Sequence, residues 1–121
     1  MTTGSRILIV DDDPLNVDYL EQELEHLGYE TATAGDGREA LESVAAEAPD
    51  LILLDVKMPG VDGFTVCRML KDDRHTRRIP VVIMTSLNAF EDRIKGIEAG
   101  ADDFLTKPVR ERELISRSRP P

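Results

Sequence analysis

A chain of 121 residues, 40% hydrophobic and 32% charged, is the size of one domain and argues against wholesale disorder. Its net charge of −9 argues against a nucleic-acid backbone as the domain's own ligand, because phosphates reward Lys and Arg and repel carboxylates. The one cysteine, Cys67, has no internal disulfide partner and lies in an apolar run, so it reads as an ordinary core residue. The opening MTTGSRILIV has too short an apolar run for a signal peptide or a membrane span, and no later stretch is longer. The protein is therefore expected in the cytoplasm, with no membrane partner.

In chain order, RILIVD (6–11) predicts the first strand and runs straight into three carboxylates, Asp11, Asp12 and Asp13. Pro14 suits an early helix position, with Asp13 as the expected cap. Val17, Leu20, Leu24 and Leu27 then recur at helical spacing before Gly28 closes the segment. YETATA (29–34) predicts the second strand on the weakest pattern of the five. Leu41, Val44, Ala45 and Ala48 predict a helix stopped by Pro49. DLILLD (50–55) predicts a third strand ending in Asp55. The turn MPGVDG, with Gly60 and Gly63, leads to the stripe Val66, Cys67 and Leu70.

PVVIMT (80–85) predicts a fourth strand ending in Thr85 and Ser86. Phe90, Ile94 and Ile97 form a fourth helical stripe closed by Gly100. DDFLTK (102–107) predicts the fifth strand and delivers Lys107 and Pro108. A short last helix is expected to hold Leu114 and Ile115 before Pro120 and Pro121. Continuous rather than alternating apolar runs point to strands covered on both faces. Strands alternating with helices then predict right-handed crossovers and a doubly wound parallel α/β sheet in a single domain, with its core at about 5–117.

In such a sheet the ligand site lies beyond the carboxyl ends of the strands. Three acids, a fourth acid, a hydroxyl and an ammonium are expected on one rim. Adjacent carboxylates raise one another's pKa unless a cation, a donor or solvent takes up the charge. Asp11, Asp12 and Asp55 offer the hard oxygens that Mg²⁺ prefers, so a divalent cation is the expected remedy. A carboxylate can also act as a nucleophile and form an aspartyl phosphate, a reaction that asks mainly for positioning and for cations around the phosphoryl oxygens. Asp55 is the candidate nucleophile. Lys107 suits a phosphate oxygen as a point charge, Thr85 offers a hydroxyl, and small Ser86 leaves room for the group to arrive.

The pieces ILIVDDD, LILLDVKMPGVDGF, VVIMTS and GADDFLTKP, in this order and spacing, resemble the receiver domains of two-component response regulators over nearly the whole chain. The resemblance implies a flavodoxin-like five-stranded sheet of order 2-1-3-4-5 with helices on both faces. It implies Asp55 as phosphoacceptor, Mg²⁺ (or Mn²⁺) as cofactor, and Asp11, Asp12, Asp55 and the backbone carbonyl of Lys57 as its ligands, Asp12 the more direct of the acidic pair. It further implies Thr85 and Lys107 as phosphate-sensing groups, Phe104 with Ser86 as the switch, and a cis bond between Lys107 and Pro108. The implied donor is a phosphohistidine on a histidine kinase or histidine phosphotransfer protein. The implied recipient of the signal is an output domain or partner protein, with no direct nucleic-acid binding by this domain. The domain is then a signalling phosphoacceptor that catalyses only its own phosphorylation and dephosphorylation, rather than an enzyme with a diffusible substrate.

Two features depart from the family. Lys57 stands where many members carry a neutral residue, which predicts altered self-dephosphorylation, and RSRPP ends the last helix early, which implies either a natural end with an incomplete dimer surface or a chain cut from a longer regulator. Two rival readings accompany the main one. In a haloacid-dehalogenase-like phosphohydrolase, Asp11 and Asp13 would form its D-x-D, but Lys107 follows the pair Asp102 and Asp103 instead of preceding it and Asp55 has no role. The other rival is a phosphorylation-independent module on the same fold. Asp102 and Asp103 are expected in a solvated turn. His26, His75, the RHTRR run (74–78) and Arg110, Arg112, Arg117 and Arg119 are expected on solvated faces, the last four also suiting an acidic partner.

Overall fold

The computed structural model describes residues 5–58, 60–86 and 90–117. Five strands and five helices alternate strictly. They are β1 (Arg6–Val10), α1 (Pro14–His26), β2 (Glu30–Ala34), α2 (Gly37–Ala46), β3 (Leu51–Asp55), α3 (Gly63–Asp72), β4 (Val81–Ser86), α4 (Phe90–Ala99), β5 (Asp103–Lys107) and α5 (Glu111–Arg117). All four strand pairings are parallel, in the order β2-β1-β3-β4-β5. This is the doubly wound sheet that the sequence predicts, and its chain reversal between β1 and β3 is the place where such sheets bind ligands.

Successive residues of a strand point to opposite faces, so each buried strand feeds two cores. Leu8, Val10, Ile52, Leu54, Val81 and Ile83 pack with Ala40, Val44, Val66, Cys67, Leu70 and Ala99, which places α2, α3 and α4 on one face. Ile7, Ile9, Leu51, Leu53, Val82 and Met84 pack with Leu20, Leu24 and Leu114, which places α1 and α5 on the other. Every residue of β3 is buried. β2 is an edge strand whose outer positions are exposed, which accounts for its diluted apolar signal.

Aspartates start the first three helices: the carboxylates of Asp13, Asp36 and Asp62 accept backbone N–H groups of Leu15, Glu39 and Thr65. Gly28 and Gly100 follow α1 and α4 at φ 95° and 93°, as their spacing predicts. Cys67 is core, its thiol 3.5 Å from the Ala99 carbonyl and pushed up to about 11 chiefly by burial.

Three expectations need correction. The face that α2 buries is Gly37, Ala40 and Val44, with Leu41 partly covered; Ala45 and Ala48 are exposed, and the helix ends at Ala46, before Pro49 is reached. The stripe Phe90, Ile94 and Ile97 faces solvent, at 71%, 42% and 65% exposure, while α4 turns Gly96 and Ala99 inward. Small residues let this helix lie close to the sheet, and a pattern search for large apolar side chains finds the wrong face.

Of the expected solvated turn, Asp102 is in an exposed bend but bonded, and Asp103 belongs to a strand. Asp102 accepts both the Lys71 ammonium (2.6 Å) and the Val81 N–H (2.8 Å), whereas Asp103 opens β5 and pairs with Arg117 at 3.1 Å. Arg117, though paired with Asp103, is exposed as expected, as are Arg110, Arg112, His26 and His75, and Arg119 lies outside the described residues. No helix among the described residues is long and apolar enough to cross a membrane.

Candidate functional site

The C-terminal edge of a parallel sheet gathers whatever follows each strand. Here β1 delivers Asp11 and Asp12, β3 ends in Asp55, β4 ends in Thr85 and Ser86, and β5 ends in Lys107. One carboxylate oxygen from each of Asp11, Asp12 and Asp55 lies within 4.8 Å of the others. The Lys107 ammonium stands 3.1 Å from Asp11 Oδ2 and 3.2 Å from Asp55 Oδ1. Of the rim predicted from strand ends, three acids and the ammonium therefore form a real cluster.

The members differ in how they are held. The Asp11 side chain is fully buried; its Oδ1 accepts the Asp13 N–H at 3.0 Å, and its Oδ2 accepts the Asn16 amide at 2.5 Å as well as Lys107. Asp12 is exposed and makes no hydrogen bond or ion pair among the described residues. Asp55 is nearly buried, and its backbone is pinned by Gly63: a Cβ at that position would stand 2.3 Å from the Asp55 carbonyl oxygen. Only glycine lets α3 start so close to the end of β3.

Burial and then the charge of Asp11 push the Asp55 carboxyl above its ordinary 3.8, and Lys107 with a backbone hydrogen bond from Lys57 restores only part. Burial pulls the Lys107 ammonium down, but bonding to Asp11 and the charges of Asp55 and Asp11 outweigh it, leaving it above 10.5. The site is thus short of positive charge, which suits a hard divalent cation. Asp12, uncommitted and open to solvent, is the member freest to accept one.

Thr85 is buried at the end of β4, and its hydroxyl has no hydrogen-bond partner among the described residues. Ser86, its exposed neighbour, stands opposite Lys107 in the β4–β5 register. The Lys107–Pro108 bond is cis, as the resemblance implies. Lys57 is exposed. Half-buried Phe104 packs against the core on the α4 side, under the Arg93 guanidinium, 5.2 Å from the ring centroid.

Asn16, Arg93 and Gly96 went unnoticed in the sequence. Asn16 was the most findable, because the third residue of a helix is where side chains reach back over the cap. Asp13, by contrast, spends its carboxylate on capping α1, which removes it from the D-x-D of the hydrolase reading.

A family model described as a response regulator receiver domain matches residues 7–119. The chain belongs to this family. The receiver is 56% identical over 116 residues to the response regulator PleD of Caulobacter vibrioides, covering 96% of this chain and 26% of that protein. It is 46% identical over 114 residues to the DNA-binding dual master transcriptional regulator RpaA of Synechocystis, covering 94% of this chain and 47% of that one. The chain thus spans about a quarter to a half of the curated relatives it matches. Among solved structures, a putative response regulator from Chloroflexus aurantiacus is 37% identical, with a TM-score of 0.93 over 96% of this chain and 95% of that one. The receiver domain of the sensor histidine kinase PA1611 from Pseudomonas aeruginosa, solved with a magnesium ion coordinated in its active-site cleft, is 33% identical with a TM-score of 0.86, covering 94% and 93%. Receiver domains are the phosphoaccepting parts of two-component signalling systems, so the receiver reading prevails over the hydrolase one.

Proposed function

We propose that Asp55 is the residue that takes the phosphoryl group. The observation carrying this reading is its placement: a rigid, buried end of β3, with one oxygen 3.2 Å from Lys107 and a side chain grouped with Asp11 and Asp12 within 4.8 Å. A carboxylate so held, beside a cation, is arranged to attack phosphorus. An Asp55 oxygen forms the new O–P bond while the P–N bond of a phosphohistidine breaks, and its electron pair stays on the imidazole nitrogen.

Asp11, Asp12, Asp55 and the Lys57 carbonyl are the groups that would hold Mg²⁺ or Mn²⁺. The ion seen in the cleft of the PA1611 receiver supports the choice of magnesium. When bound, it supplies positive charge to the phosphoryl oxygens. Lys107 supplies a second positive charge, and its links to Asp11 and Asp55 aim it at the acceptor before the donor arrives. The Thr85 hydroxyl, which has no partner among the described residues, is placed to donate to a phosphoryl oxygen once one is present. Its movement, and that of Ser86 beside it, draws the end of β4 inward and gives Phe104 a new position, a local charge change biasing a two-state element.

The donor is a histidine kinase or a histidine phosphotransfer protein. The receiver of the signal is an output domain or a partner protein; regulators such as RpaA and MtrA are DNA-binding proteins, but a domain of net charge −9 is not itself suited to that contact. The test is labelling with acetyl phosphate and Mg²⁺, read as a gain of one phosphoryl group by intact mass. Labelling of the parent and none of Asp55→Ala is expected; equal labelling of both overturns the assignment.

A further inference from the structure

We infer that Asn16 is a positioning residue for phosphoryl transfer, acting through Asp11 on Lys107. The inference rests on the reading of Asp55 as phosphoacceptor. Asn16 is the third residue of α1, three after the cap Asp13, and its side-chain amide reaches back across the cap to Asp11 Oδ2 at 2.5 Å. That oxygen is shared, because the Lys107 ammonium approaches it at 3.1 Å. Lys107 in turn divides itself between Asp11 Oδ2 and Asp55 Oδ1, at 3.1 and 3.2 Å. Four groups are therefore linked in one chain: amide, carboxylate, ammonium, carboxylate.

The order of that chain gives Asn16 its effect. A fully buried carboxylate must be satisfied by donors, and among the described residues Asp11 has three: the Asp13 N–H on one oxygen, Asn16 and Lys107 on the other. Asn16 is the neutral side-chain donor of the set. Its bond fixes the rotation of the Asp11 carboxylate and lowers the demand of Oδ2 for Lys107. Without it, Oδ2 keeps Lys107 as its sole donor, and the ammonium moves toward Asp11 and away from Asp55. The acceptor then lacks the cation that stabilises charge in the transferring group, while every group that would hold the metal is still present, Asp11 kept in place through Oδ1 by the Asp13 N–H and Asp12 open to solvent. Loss of Asn16 therefore lowers the maximal rate of labelling and leaves the half-saturating concentrations of Mg²⁺ and acetyl phosphate nearly unchanged.

The experiment is labelling of the protein by acetyl phosphate at varied donor and Mg²⁺ concentrations, for the parent, Asn16→Ala, Lys107→Ala, the double variant and Asn16→Gln. Asn16→Ala is expected to lower the maximal rate about tenfold, the usual worth of a hydrogen bond to a charged group. Half-saturation for either ligand should move by less than about twofold. Because Asn16 acts through Lys107, its removal in the Lys107→Ala background should cost little more, giving a non-additive cycle. Asn16→Gln, which keeps the amide at a position that favours reaching back, should recover most of the rate.

An unchanged maximal rate, a loss confined to Mg²⁺ half-saturation, or fully additive losses would each overturn the role. A parent that is not labelled at all overturns the phosphoacceptor reading instead, so the two failures are distinguishable. A melting temperature for Asn16→Ala close to the parent's separates positioning from unfolding.

Discussion

Gly96 of α4 and Phe104 of β5 touch so closely that a Cβ at position 96 would stand 2.6 Å from the ring's Cε1 and 2.9 Å from its Cζ. Arg93, one turn earlier, sits 5.2 Å from the ring centroid and donates to the Thr106 hydroxyl at 3.3 Å, so α4 grips the aromatic through a missing side chain and a cation. Gly96→Ala must displace the ring or lift the helix, since a Cβ cannot stand that close to Cε1. Alanine itself favours a helix by about 1 kcal/mol over glycine, so a net loss of stability measures the clash. The expected outcome is a denaturant midpoint below the parent's and shifted NMR resonances of Phe104; a variant more stable than the parent would show that the ring moves freely.

Asp55 sets a pH dependence whose sign follows from its raised pKa. A carboxyl whose folded pKa lies above its ordinary 3.8 favours the fold most when protonated, and that contribution is lost as pH rises through the folded value. At neutral pH the ionised Asp55 is therefore a burden, created by burial and by Asp11. Asp55→Asn, which keeps the shape and removes the charge, should melt above the parent in chelator, by about 3 °C or more for each kcal/mol relieved. Mg²⁺ should shrink the gap, because it stabilises the parent by about 2.7 kcal/mol at a hundred times its Kd and binds the variant less well. Thermal melts with and without divalent cation measure both effects, and an Asp55→Asn melting temperature at or below the parent's in chelator defeats the sign.

Lys71 closes the far end of the sheet. Its ammonium, 15% exposed, donates to Asp102 at 2.6 Å and to the carbonyls of Ile79 at 2.8 Å and Arg77 at 3.2 Å, joining α3 to the segment entering β4 and to the start of β5. Asp102 is half exposed, so the ion pair itself is partly screened, and of the two carbonyls only that of Ile79 is partly buried. Lys71→Met should cost about 1 kcal/mol, the net worth of an ordinary hydrogen bond, because water can reach most of the groups it leaves. A lower urea midpoint at unchanged slope, with normal labelling of Asp55, is the expected pair of readings.

Strand ends and the convergence of Asp11, Asp12, Asp55 and Lys107 were legible because continuous apolar runs mark buried parallel strands whose ends share one rim, while the strand order came from the family resemblance. Strand boundaries fell within a residue of the observed ones. What escaped detection depends on contacts between distant segments. Asp102 reads as a turn residue until α3 brings Lys71 across to it. The inward face of α4 is made of Gly96 and Ala99, too small to register as apolar periodicity, while Phe90, Ile94 and Ile97 register and lie outside. Asn16 is one of many polar residues along the chain until the cap turns its amide back onto Asp11.

That inversion of α4 is directly testable. Ile97→Lys should change stability by no more than about 0.5 kcal/mol, as for other exposed positions, whereas Leu70→Ala on α3, at 3% exposure, should cost about 2–5 kcal/mol. Urea denaturation of the two variants decides it; comparable losses would return the stripe to the core.

Lys57 sets the lifetime of the phosphorylated state under the proposed mechanism. Its backbone hydrogen bond to Asp55 survives any substitution except proline, so replacing the side chain isolates the effect of the exposed ammonium. A cation two residues after the acceptor neutralises phosphoryl charge and occupies space that water needs to reach phosphorus. Lys57→Asn removes both influences and offers an amide that holds a water, so the aspartyl phosphate should decay about fivefold faster, a barrier change of ~1 kcal/mol. Lys57→Arg, which keeps the charge, should decay at the parent's rate. Loss of label after removal of acetyl phosphate gives the three rates, and a common value for all of them would show that the side chain at position 57 plays no part in hydrolysis.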